Sequence, residues 1–181
     1  MRPIVTRPII LAVSALAAAC SDQGPTSLTS PPGAVPVPAR AKSQLGAPVP
    51  FRGSYTAADR GVVAPPNLLL QGTGEGNATH LGRFTFTSSD VVDLMTATGT
   101  GTVTFTAANG DQLFTTTAGG EDGFTPPNVS HVTVIATIVG GTGRFAVATG
   151  TFTMRRTGII DFAAGTSTAT GSFEGRIDLR N

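Results

Sequence analysis

The chain has 181 residues, of which only 13% are charged, about half the roughly 25% usual in globular domains. Its formal net charge is +1, and with Arg2 and Arg7 of the N-terminal segment set aside, the 11 acidic residues outnumber the basic ones by one. That balance excludes the electrostatic footprint of nucleic-acid binding and a polybasic membrane-binding surface, and two His and one Cys leave little material for a transition-metal site.

Residues 1–20 begin with a positive segment holding Arg2 and Arg7, followed by an apolar run from Ile9 to Ala19 broken only by Ser14. This is the pattern of a bacterial export signal. The run is too short for a helix crossing the bilayer core, which needs about 20 residues. Ala17-Ala18-Ala19-Cys20 resembles the lipobox of bacterial lipoproteins, with Leu16 one place further from the cut than is usual. The resemblance implies cleavage before Cys20, acyl chains on Cys20, and the membrane as a partner through that anchor. An unpaired thiol in an oxidising compartment is a liability unless it has such a role. By the same resemblance, Ser21 in place of an aspartate directs the protein to the outer membrane of a host that has one. The rival reading is cleavage after a small-x-small site, leaving a soluble exported protein.

Residues 21–50 hold seven of the chain's 13 prolines and no aromatic residue. Such a segment cannot offset its ordering entropy by burying apolar surface, so a semi-extended tether is expected. The chain therefore divides into a signal peptide at 1–19, a lipidated Cys with Pro-rich linker at 20–50, and one folded domain at 51–181.

Glycine and threonine dominate the domain, which holds 20 of the 23 glycines. Period-two alternation recurs through it. Thr100, Thr102, Thr104 and Thr106 alternate with Gly101, Val103, Phe105 and Ala107. Thr166, Thr168, Thr170 and Ser172 alternate with Ser167, Ala169, Gly171 and Phe173. Each pattern predicts a strand with one wet face and one buried face. Strands are expected at 49–56, 67–76, 79–88, 98–108, 111–119, 129–139, 144–156 and 166–179. Asn109-Gly110 predicts a type I′ hairpin. Gly119–Gly123 and Pro126-Pro127-Asn128 are read as a longer loop, and Gly140–Gly143 as a tight connection. No stretch carries a helical period. Eight hairpin-linked strands predict an all-β, antiparallel up-and-down barrel; a two-sheet sandwich is the alternative. Small residues at inward positions (Gly101, Ala107, Ala169, Gly171, Gly175) suit a narrow barrel.

Gly140-Gly141-Thr142-Gly143-Arg144-Phe145, with Ala148 and Gly150, resembles the G-G-T-G-x-F-x-x-A-x-G signature of plant dirigent proteins. That family is similar in fold to the allene oxide cyclases, and both are eight-stranded antiparallel barrels. Asn77–Phe84 and Thr102–Asp111 resemble bacterial exported proteins grouped with the same barrel. Together these resemblances span about residues 70–175 and imply an allene oxide cyclase-like barrel domain. The plant proteins steer reactive oxylipin or phenoxy-radical intermediates in the barrel cavity with acidic, Arg and Tyr side chains. The motifs do not assign those side chains to positions here, so catalytic residues are left unassigned.

Phe84, Phe86, Phe105, Phe145 and Phe173 sit at apolar parities and are expected to form the core or line a cavity. Among polar groups, His80 shares strand parity with Phe84 and Phe86, and a Gly-Arg-Phe triplet recurs at Arg83 and Arg144. The plain reading makes His80 a hydrogen-bonded structural histidine and both arginines rim residues; the functional one makes His80 catalytic at the barrel mouth and the arginines two cationic groups for an anionic ligand. His80 and His131 have no metal-ligand spacing, and neither a metal nor a cofactor is expected. Asp90, Asp93, Glu121 and Asp122 are read as solvated loop carboxylates, and Gly72-x-Gly74-x-Gly76 as a bent strand because no Gly-Lys-Ser/Thr follows. Two functions stay open. One is a non-catalytic envelope barrel that binds a small apolar ligand or a protein partner. The other is a cyclase- or dirigent-like enzyme. A hollow barrel with converging polar groups would favour ligand binding or catalysis, and a filled one a surface role.

Overall fold

The computed structural model describes residues 47–179, and the expectations placed on 1–19, on Cys20 and on most of the linker lie outside them. Eight strands run in chain order: β1 (Val49–Ala64), β2 (Asn67–Ala78), β3 (Gly82–Asp93), β4 (Thr98–Ala107), β5 (Gln112–Thr125), β6 (Val129–Gly141), β7 (Thr149–Asp161) and β8 (Thr166–Asp178). Each pairs antiparallel with the next, and β8 pairs with β1, so the sheet closes into a barrel and the sandwich is excluded. Closure satisfies the backbone groups that free edge strands would expose.

Several boundaries differ from expectation. β1 continues past residue 56 to Ala64, and β3 and β5 extend to Asp93 and Thr125. Asp90, Asp93, Glu121 and Asp122 are thus strand residues. Turn-like composition is overridden here because a neighbouring strand supplies a ladder, on both sides at Asp90 and Asp93 and on the β6 side at Glu121. Gly119 and Gly120 suit β5 because the adjacent strands approach them closely: a Cβ at Gly119 would lie 2.6 Å from Val134 Cα. β5 absorbs an irregularity between Glu121 and Gly123, leaving Asp122 as the extra residue of a bulge. The Asn109 hairpin is not type I′. Gly110, at φ +88°, is the left-handed residue of that loop, and its N–H donates to Ala107 O at 2.9 Å. This is the three-residue arrangement of a type I turn followed by a left-handed glycine. The start of the expected seventh strand is instead a 3-10 turn over Gly143–Phe145.

Inward and outward positions alternate along every strand. Phe51, Tyr55, Ala57 and Asp59 face in from β1, and Phe84 and Phe86 from β3. The end of the barrel at which β1 begins and β8 finishes is filled. Phe51, Phe84, Phe105, Phe152 and Phe173 form one aromatic cluster, with ring centroids 5.1 Å apart for Phe51–Phe152 and 5.4 Å for Phe84–Phe105, both edge-on. Edge-on contacts of this kind are favourable beyond their buried area. Phe145, on the 3-10 turn, and Leu113 have no exposed surface and close that end. All five phenylalanines singled out from the sequence are buried.

Phe105→Ala should cost about 3–5 kcal/mol of unfolding free energy, because its cavity cannot collapse in a closed barrel. Thr104→Ala, on the outer face, should cost less than about 1 kcal/mol by comparison. Denaturant midpoints of the two variants check this, and the reverse ranking would mean that the β4 register is shifted by one residue.

Candidate functional site

The other half of the barrel is hollow. A cavity of about 550 Å³ opens between the β1–β2, β3–β4, β5–β6 and β7–β8 turns. Its floor is Tyr55, Phe86, Val103 and Met154, and its walls include Leu68, Leu70, Val132 and Val134. Tyr55 and Phe86 lie edge-on at 5.5 Å and separate the cavity from the aromatic cluster.

One or two inward positions above the floor stands a polar group. Asp59 follows Tyr55 on β1 at that parity, Ser88 and Asp90 follow Phe86 on β3, and Arg156 follows Met154 on β7. The Arg156 guanidinium forks onto Asp59: Nη2 is paired with Oδ2, and Nη1 donates to Oδ1 at 3.5 Å. Ser167 Oγ also donates to Asp59 Oδ2, at 2.9 Å. Asp59 is buried, so this fork replaces the water its carboxylate has lost. Glycine makes the room. Gly72 sits opposite Asp59 on one side and Ser88 on the other, and a Cβ there would be 2.5 Å from each side chain. Gly101 opens the equivalent space beside Asp90.

Asp90 accepts a hydrogen bond from Thr117 Oγ1 at 3.2 Å. Burial raises its carboxyl above the ordinary range; the hydrogen bonds from Thr117 and Ser88 and the charge of Arg156 oppose that rise, and Asp59 adds to it. Burial likewise pushes the Tyr55 phenol up to about 12, against Arg156 and with Asp59. Tyr55 therefore keeps its proton and offers the cavity a neutral hydroxyl.

The polar residues singled out from the sequence lie elsewhere. His80 is exposed in the β2–β3 turn at φ +64°, which breaks the strand parity it was assumed to share with Phe84. Arg83 is exposed at the start of β3. Arg144 is exposed on the 3-10 turn, 3.8 Å from Asp111 and 4.8 Å over the Phe145 ring. All three are at the filled end, so none of them reaches the cavity. Phe86 alone of the five phenylalanines lines it. Sequence reasoning missed Asp59 and Arg156, read Asp90 as a solvated loop carboxylate where it is a strand residue lining the cavity, and gave Tyr55 no role. A signal existed: each is polar at the buried parity of its strand, as in Phe152-x-Met154-x-Arg156. Among the described residues, no three His, Cys, Asp or Glu side chains group so as to hold a metal ion.

No family model matches the chain. No curated protein matches it either. Among solved structures it is similar to the pterocarpan synthase dirigent protein GePTS1, with 12% identity and a TM-score of 0.38, over 72% of this chain and 86% of that one.

Asp90 gives a pH signature. Its folded carboxyl is raised, so the stability it contributes is fully present below the ordinary aspartate range and is lost as pH rises through the folded value. Asp90→Asn removes that loss. The variant should melt above the parent at pH 7, with the gap closing at about pH 3, below the unfolded aspartate value of about 3.9. Thermal unfolding at the two pH values checks it; a lower melting point for the variant at pH 7 would contradict the assignment.

Proposed function

We propose that the protein binds a small, mainly apolar molecule in the open half of the barrel, as a non-catalytic carrier or sensor. The supporting observation is the cavity: about 550 Å³ with apolar walls and a few polar groups converging at depth. That is the size and character of small-molecule sites, usually about 300–1,000 Å³. A protein-docking surface would not need such a space. Binding is preferred to cyclase- or dirigent-like catalysis because the cavity's charged pair is self-satisfied: Asp59 and Arg156 hold each other. In this reading an acylated Cys20 anchors the protein to the bacterial envelope, on the outer membrane of a host that has one. The 21–50 tether then spaces the barrel from the lipid.

The full chain should bind the neutral fluorophore N-phenyl-1-naphthylamine saturably, with one site per chain. Val132→Trp, on the cavity wall, should abolish that saturable signal while leaving the far-ultraviolet circular dichroism of the barrel unchanged. Equal binding by the parent and a folded Val132→Trp variant would place the probe outside the cavity and overturn the proposal.

A further inference from the structure

The cavity carries an unbalanced charge. Asp59, Asp90, Asp93, Glu121 and Asp161 line it, against Arg156 as the one cation of the lining. Asp93 and Asp161 sit at the rim and cap their turns: Asp93 Oδ1 accepts from Met95 N at 2.7 Å, and Asp161 Oδ1 from Ala163 N at 3.0 Å. Glu121 is exposed. Deeper in, Arg156 is committed to Asp59, which leaves Asp90 with hydroxyl donors but no ion-pair partner among the described residues. The polar centre of Asp59, Asp90 and Arg156 is therefore one negative charge in excess when Asp90 is ionised. A charge in a low-dielectric pocket is costly until it is paired, and no described residue offers Asp90 an uncommitted cation. The acidic rim, focused by apolar walls, draws cations toward the mouth and repels anions.

We propose that the cavity's ligand is a cationic amphiphile, an apolar body carrying a protonated primary amine that donates to the Asp90 carboxylate. This rests on the cavity-binding reading above and adds the ligand's charge to it. The apolar body would lie against Val132, Val134 and Met154, and Tyr55 would offer a hydroxyl at the floor. The groups facing Asp90 across the barrel are Asp59 and Tyr55 of β1, Thr117 and Glu121 of β5, and Arg156 of β7, with Asp93 and Asp161 at the rim. None of them supplies an uncommitted cation. A fatty acid, by contrast, would bring a second negative charge beside Asp90.

The test is displacement of N-phenyl-1-naphthylamine from the full chain at pH 7 by n-octylamine, 1-octanol and sodium octanoate, which share one apolar body. Octylamine should displace the probe at about tenfold lower concentration than octanol, the margin of a charged over a neutral hydrogen bond, and octanoate should be the weakest of the three. In Asp90→Asn, octylamine should fall to the level of octanol while octanol itself is unchanged. Equal displacement by octylamine and octanol in the parent would overturn the amine proposal and leave the cavity reading standing. So would an octylamine advantage that survives Asp90→Asn. A parent chain that does not bind the fluorophore at all would overturn both.

Discussion

The lumen of an eight-stranded barrel has room for large side chains only where the adjacent strands supply almost none. This chain meets that limit by setting glycine beside bulk. Gly53 pairs with Phe173, Gly74 with Phe86, Gly76 with Phe84, and Gly171 with Tyr55. A Cβ at Gly53 or Gly76 would sit 2.7 Å from the facing ring carbon, closer than real contacts allow. The aromatic cluster therefore exists because its neighbours have no side chains. The same device operates one level higher, where Gly72 and Gly101 clear space for Asp59, Ser88 and Asp90.

Where glycine faces an aromatic ring, the lumen is filled; where it faces a short polar side chain, the lumen stays open. The barrel is thus divided along its axis without any change of fold. Phe51, Phe105, Phe152 and Phe173 provide the cohesive half, stable enough to hold an electrostatically imperfect half above it. That upper half contains a buried ion pair, a carboxylate whose neutral form is favoured by burial, and a mouth where apolar turn residues stand beside the rim carboxylates Asp93 and Asp161. Leu94, Met95 and Phe162 are exposed there. These features cost stability, and the cavity they surround is the feature that gives them a use.

Much of this was legible in the residue pattern, and the illegible part has a physical cause. The Thr/Gly alternation of β4 and β8 marks strands directly, because a closed narrow sheet needs small inward residues and tolerates β-branched ones outside. Phe84, Phe86, Phe105 and Phe173 could be placed by parity alone, whereas Phe145 is buried from a 3-10 turn. The cavity residues could not be placed the same way. Ala57-Ala58-Asp59-Arg60-Gly61 and Ser88-Ser89-Asp90 have the composition of turns, and local chemistry alone ends the strands there. Only the ladders carry β1 through Asp59, with β2 and β8, and on to Ala64 with β2, and β3 to Asp93 with β2 and β4, which turns Asp59 and Asp90 inward. The partnership of Asp59 with Arg156 spans β1 and β7, and no local pattern links residues so far apart. His80 misled for the opposite reason: its parity count ran through a left-handed turn residue, where the alternation is reset.

The central claim is that the lumen is occupied by protein in one half and by a ligand in the other. Intermolecular nuclear Overhauser effects between bound N-phenyl-1-naphthylamine and the methyl groups of the full chain test it most directly. The account predicts contacts to Met154, Val132 and Val134, which line the cavity, and none to Leu113 or Ile177, which are fully buried at the filled end. Contacts confined to outward-facing methyls such as Ile135, Val139 and Val147 would contradict it.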